Sequence, residues 1–288
     1  MSSPLITPAQ LTAELATAGT RPVVLDVRWS LAGSDRGAHL AGHIPGSLFV
    51  DLDAELAGPP GAGGRHPLPD PQVLQTLWRE LGLDQDTPVV VYDARDASVA
   101  GRAWWLLRWS GHTDVRVLDG GWAAWQRAGG TEETGDVPRP GGGTVSVKPG
   151  GLPVAGIDDV VAVAEGSSTA ALIDLRAGAR FRGELEPVDP VAGHIPGAVN
   201  LPFSDLAEPD GTFPEPDVLR ARLAAVGVTE GSTAIASCGS GVTACQLVLA
   251  ADSLGISTAL FPASYSGWCA AGRRVATGSG PVVPATNG

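Results

Sequence analysis

Gly42-His43-Ile44-Pro45-Gly46-Ser47 recurs 151 residues further on as Gly193-His194-Ile195-Pro196-Gly197-Ala198. Upstream of each copy stands another matching pair, Leu25-Asp26-Val27-Arg28 and Ile173-Asp174-Leu175-Arg176. Downstream, Pro88-Val89-Val90-Val91-Tyr92-Asp93 holds the place of Thr233-Ala234-Ile235-Ala236-Ser237-Cys238 at an offset of 145. Gly121-Trp122-Ala123-Ala124-Trp125 matches Ser264-Tyr265-Ser266-Gly267-Trp268 at an offset of 143. Four markers in one order at nearly constant separation mean that one domain occurs twice. A period this long builds tandem globular domains, because solenoid units run to roughly 20–50 residues.

Within each copy, β-branched runs such as Pro22 to Val27, Pro88 to Tyr92 and Val115 to Leu118 alternate with helical patterns such as Pro71 to Leu81 and Gly101 to Trp109. That alternation predicts an α/β fold of two domains, each a parallel sheet flanked by helices. The first domain is expected over 1–128. A stretch dense in Gly, Pro, Thr and Glu follows and reads as a linker over 129–152, with Val145-Ser146-Val147 its one strand-like island. The second domain is expected over 153–277, and the Gly- and Pro-rich 278–288 reads as a flexible tail. The Trp residues at 104, 105, 109, 122 and 125 read as packing.

Composition narrows the function. A net charge of −12, with 19 scattered basic residues, argues against nucleic acid and against an anionic membrane surface. No apolar run approaches the roughly 20 residues of a membrane span. Three cysteines make no disulfide framework, and no Cys-x-x-Cys or His pairing suggests a metal. The chain reads as cytoplasmic.

Chemistry points to Cys238-Gly239-Ser240-Gly241-Val242-Thr243, where an apolar strand ends and a helix opens. Glycines let consecutive backbone N–H groups turn inward, and the helix presents the positive end of its dipole to the same spot. Such surroundings stabilise a thiolate relative to a free cysteine, whose pKa is about 8.5. A packing cysteine has no need of this cradle at the carboxyl end of a strand, where open α/β sheets place their ligands. Cys245, two helical turns on, and Cys269 near the end read as structural. His43 and His194 are expected to bond nearby backbone. The first domain has Asp93 where the second has Cys238, so it is expected to be a scaffold.

The chain resembles the tandem-domain rhodanese sulfurtransferases nearly end to end, and its Cys-Gly-Ser-Gly-Val-Thr loop is that of the mercaptopyruvate branch. Thiosulfate-using relatives usually carry basic residues just after the cysteine. The resemblance implies two rhodanese-like domains and transfer of sulfane sulfur from 3-mercaptopyruvate or thiosulfate through a persulfide on Cys238. It implies no cofactor, a small anionic sulfur donor, and a thiol, thioredoxin or cyanide as acceptor. It places substrate binding on Arg180 and on the loop residues Gly239, Gly241, Val242 and Thr243. Ser240, Asp53 and His66 take catalytic roles beside Cys238, with a site between the domains. The second arginine that the mercaptopyruvate branch carries is missing, because Glu184-Leu185-Glu186-Pro187-Val188-Asp189 contains no basic residue. Two readings stay open beside this one, a thiosulfate-preferring enzyme and a non-catalytic persulfide carrier. A phosphatase would need an arginine six residues after the cysteine, where this chain has Ala244.

Overall fold

The recurring sequence words have a shared structural cause. The computed structural model describes residues 3–17, 19 and 21–280. In it the Arg28 guanidinium grips the Asp26 carboxylate through Nε and Nη2 at 2.6–3.1 Å and donates to the Gly42 carbonyl at 2.7 Å. Arg176 repeats both contacts, gripping Asp174 at 2.6–3.1 Å and donating to the Gly193 carbonyl at 2.7 Å. All four charged side chains are buried, so each needs its partner in place. The Asp-x-Arg word at a strand end thus ties down its own Gly-His-Ile-Pro-Gly turn. Each histidine completes its turn, His43 Nδ1 against the His39 carbonyl and His194 Nδ1 against that of Phe181, both at 2.8 Å.

Two compact units follow, each built on a parallel sheet. In the first the strand order is Leu5–Ile6, Val115–Leu118, Val89–Tyr92, Val23–Asp26, Leu48–Phe49. In the second it is Ala259–Leu260, Ala234–Ser237, Ala171–Asp174, Val199–Asn200, with Val154 bridging to Leu260 where Leu5–Ile6 lies in the first. The central strands Val89–Tyr92 and Ala234–Ser237 are buried at every position, as strands covered by helices on both faces must be. Helices fall where expected. Pro71–Glu80 starts on the Asp70 carboxylate, which accepts from the Gln72 amide at 2.7 Å, and Ala100–Trp109 buries Trp104 and Trp105.

The units interleave along the sequence. The first comprises residues up to Gly58, then Leu68–Leu152 and Pro209–Phe213, and the second Pro59–Pro67, Pro153–Glu208 and Pro214 onward. The stretch 129–152 carries no helix, and its one ladder contact is a bridge from Glu133 to His43. It belongs to the first unit, held by Gly143 N–H to Arg79 O (3.0 Å), Val145 N–H to Leu83 O (3.1 Å) and Lys148 N–H to Ser110 O (2.8 Å). Val145–Val147 forms no strand: Val145 is buried beside a helix end, with no sheet edge to join. Of the tail expected at 278–288, residues 281–288 lie outside the described residues. Among the described residues no helix is long and apolar enough to cross a membrane.

Two carboxylates, Asp26 and Glu186, set an acid limit on stability. Burial pushes the Asp26 carboxyl pKa up, but hydrogen bonds from His39 and Arg28 outweigh it and hold the group below its ordinary value. Glu186 is likewise held down, burial again being opposed by Arg180 and by the backbone of residues 188 and 189. A lowered carboxyl contributes stability above its unfolded pKa, about 4, and loses it as pH falls through the folded value. Thermal melts should therefore show the midpoint dropping steeply below about pH 4. A flat profile from pH 6 down to 3 would contradict the assignment.

Candidate active site

Cys238 follows the last residue of the Ala234–Ser237 strand and is buried. Its amide donates to Ser264 Oγ at 3.1 Å, and its carbonyl accepts from Tyr265 N at 3.0 Å. The Gly239 carbonyl accepts from Ser266 N at 2.9 Å. The first turn of the helix Ser264–Ala270 thus satisfies the loop carbonyls. Gly241 N–H reaches the other way and donates to Cys238 Sγ at 3.2 Å. Gly241 has φ +80°, and a side chain there would collide with the Pro262 carbonyl, so glycine is required twice over. The amides of Gly239, Ser240, Val242 and Thr243 meet no protein acceptor among the described residues. Buried N–H groups are rarely left so.

The first unit shows what such a loop holds. There the Asp93 carboxylate accepts from four backbone amides, Arg95 (3.0 Å) and Ala97 (3.2 Å) on Oδ1, Val99 and Ala100 (both 2.9 Å) on Oδ2. Burial, with Asp96 nearby, raises the Asp93 pKa, and the amides of Ala100, Val99 and Arg95 oppose that rise. The repeat therefore builds an anion cradle at the end of its central strand, filled in one copy by a side chain and presented in the other to Cys238.

Around Cys238 the second unit gathers most of the expected residues. Ser240 Oγ lies 2.7 Å from His66 Nδ1. His66 reaches the loop because residues 59–67 pack in this unit. Gly61 and Gly64 exchange backbone hydrogen bonds at 2.9 and 3.0 Å, making a tight turn. Gly64, at φ +95°, sits so close to Ala263 O that a Cβ would lie 2.6 Å from it, and the Arg65 amide donates to Ser266 Oγ at 3.1 Å. Asp53 belongs to the first unit, where its Oδ2 accepts from Trp29 Nε1 at 2.8 Å.

Arg180 lies in the short helix Gly178–Arg182. Its Nε and Nη2 donate to Glu186 at 3.1 and 2.6 Å, and Nη2 also reaches Asp189 at 3.1 Å. Both nitrogens of its outer edge lie 3.8 Å from where a Gly239 Cβ would stand. Arg182 is half exposed and pairs with Glu184. Three residues of this cluster escaped the sequence reading: Arg65, Glu186 and Asp189. The Arg65 guanidinium pairs with Asp189, and Glu186 also receives Arg176 at 3.2 Å. The available signals were a cation beside His66 in an acidic chain, and two acids in the segment noted for lacking an arginine. Among the described residues no group of three or more His, Cys, Asp or Glu could hold a metal ion.

Known proteins resemble this chain over nearly its whole length. The family model for the rhodanese-like domain matches residues 7–128 and 159–271. A Mycobacterium tuberculosis protein, SseB, a candidate thiosulfate sulfurtransferase by name, is 44% identical over 266 residues, covering 92% of this chain and 93% of its own. A Pseudomonas aeruginosa protein named a probable 3-mercaptopyruvate sulfurtransferase is 43% identical, covering 96% of this chain and 99% of its own. The crystal structure of SseA from Escherichia coli, described as having the rhodanese fold, superposes with a TM-score of 0.79 at 33% identity. It covers 92% of this chain and 100% of that one.

Proposed function

The chain belongs to the rhodanese family of sulfurtransferases, and from that premise we propose that it moves sulfane sulfur from 3-mercaptopyruvate or thiosulfate to an acceptor through a Cys238 persulfide. The observation that carries this reading is the cradle, in which Gly241 N–H already donates to Cys238 Sγ while four neighbouring amides meet no protein acceptor among the described residues. Such donors stabilise a thiolate and, equally, the anionic persulfide that replaces it.

The chemistry balances as two displacements. The Cys238 thiolate attacks the donor sulfur, an S–S bond forms, and the bond from that sulfur to its former carrier breaks. With thiosulfate the leaving group is sulfite and no proton moves. With 3-mercaptopyruvate the leaving group is the enolate of pyruvate, which must gain a proton at carbon, and the donor's own thiol proton is available for it. The Ser240–His66 hydrogen bond offers a relay for that proton. In the second step a thiol, thioredoxin or cyanide takes the outer sulfur and returns the thiolate. The uncharged Gly239-Ser240-Gly241 loop favours 3-mercaptopyruvate over the doubly charged thiosulfate.

Steady-state assays with both donors in parallel, following pyruvate, sulfite and thiocyanate, test the reading. Turnover is expected with both and a higher kcat/KM with 3-mercaptopyruvate. Stoichiometric sulfur loading without turnover would instead favour a carrier. The relay makes its own prediction: His66→Gln should lower kcat with 3-mercaptopyruvate about a hundredfold, while thiosulfate turnover, needing no proton, stays within a few-fold. An equal fall with both donors would remove the relay.

A further inference from the structure

We propose that Arg65 is the second arginine of the donor site, so that the anionic group of the sulfur donor is taken between Arg65 and Arg180, with Asp189 as the shared counter-ion that orients both. The inference deepens the proposed sulfur transfer at Cys238 and rests on it for the identity of the ligand.

Three observations converge. First, the two oxygens of Asp189 are divided between the arginines, Oδ1 to Arg65 Nη1 and Oδ2 to Arg180 Nη2. The Asp189 side chain is 1% exposed, so the carboxylate is a fixed internal anchor. Secondly, both guanidiniums border the residue that follows the cysteine. A Cβ on Gly239 would lie 2.8 Å from Arg65 Nη2 and 3.8 Å from both Arg180 Nη atoms. Thirdly, donors remain unspent. A guanidinium carries five N–H groups, and the contacts described leave Arg65 Nη2 and Arg180 Nη1 without a protein acceptor among the described residues. Those are nitrogens that border Gly239.

Charge accounting explains why an acidic chain can present such a site. Glu186 and Asp189 are occupied by Arg180, Arg176 and Arg65, and Asp174 by Arg176, so three acids meet three arginines. The acids neutralise and hold the cations instead of competing for the ligand. Two N–H edges at one glycine match the oxygens of a carboxylate or of a sulfonate-like group. A side chain on Gly239 would displace the Arg65 guanidinium from this edge.

The test uses the full-length protein with Arg65→Gln, Arg65→Lys and Arg180→Gln. Each is assayed with 3-mercaptopyruvate and thiosulfate, and each is titrated calorimetrically with pyruvate and with sulfite, the anions these donors leave behind. Arg65→Gln should raise KM for both donors about tenfold to a hundredfold and weaken both anions similarly. The reduction of the persulfide by a neutral thiol should be unchanged, a split that a merely structural role would not produce. Arg65→Lys keeps the pair with Asp189 but not the fork, so it should fold normally and show an intermediate loss even if the glutamine variant unfolds. Wild-type KM and anion affinity in the lysine variant, together with the same result in any folded glutamine variant, would overturn the proposal. So would failure of the unmodified protein to bind either anion. If the unmodified protein binds anions but turns over neither donor, the sulfurtransferase reading falls while the titrations still judge the clamp.

Discussion

Cys238→Ser is expected to reduce sulfur transfer on the order of ten-thousandfold or more, the scale on which loss of a nucleophile acts. Intact-protein mass spectrometry after donor treatment should show the addition of one sulfur atom to the unmodified protein and none to the variant. The other two thiols cannot substitute. Cys245 Sγ is buried and donates to the Gly241 carbonyl at 3.4 Å. Burial raises the pKa of Cys269, which is held beside Tyr265, so little of it is thiolate at neutral pH. Cys245→Ser and Cys269→Ser should keep most of the activity. An added sulfur that survives in Cys238→Ser would move the nucleophile elsewhere.

Gly241→Ala should also be damaging, by a different route. The residue's φ of +80° costs an L-amino acid about 1–2 kcal/mol, and the new methyl would collide with the backbone carbonyl of Pro262. Neither atom can yield cheaply, so the loop must shift and take its N–H away from Cys238 Sγ. Displacements of this size at a reacting centre cost about a hundredfold in rate. Gly255→Ala is the control: its φ is +75° and nothing lies within 4 Å of the added carbon, so it pays the conformational cost alone. Equal activity in the two variants would show that the cradle tolerates displacement.

The sequence disclosed the fold because its evidence was internal. Asp26 with Arg28 and Asp174 with Arg176 bind the same turn in each copy, so the words had to recur together. Cys238 was legible too, since a strand, a cysteine and two glycines state the loop without any distant partner. Arg65 was not, because its significance lies 124 residues away at Asp189, and nothing local to Gly63-Gly64-Arg65-His66 reports that the segment packs in the second unit. Domain limits drawn as contiguous stretches could not express that exchange. Glu186 and Asp189 were read for the arginine they lacked, whereas their effect is to hold arginines supplied by other segments.

Asp93 has a consequence for how the two halves tolerate change. Its carboxylate closes the first loop from within, so the contacts that shape that loop come from the chain itself. Substitutions in the first loop are therefore expected to register in the yield and lifetime of the folded chain. Substitutions in the second loop are expected to register in turnover as well, if Cys238 carries the sulfur as proposed. Variation in the two loops should accordingly register in different instruments, the calorimeter for the one and the stopped-flow trace for the other.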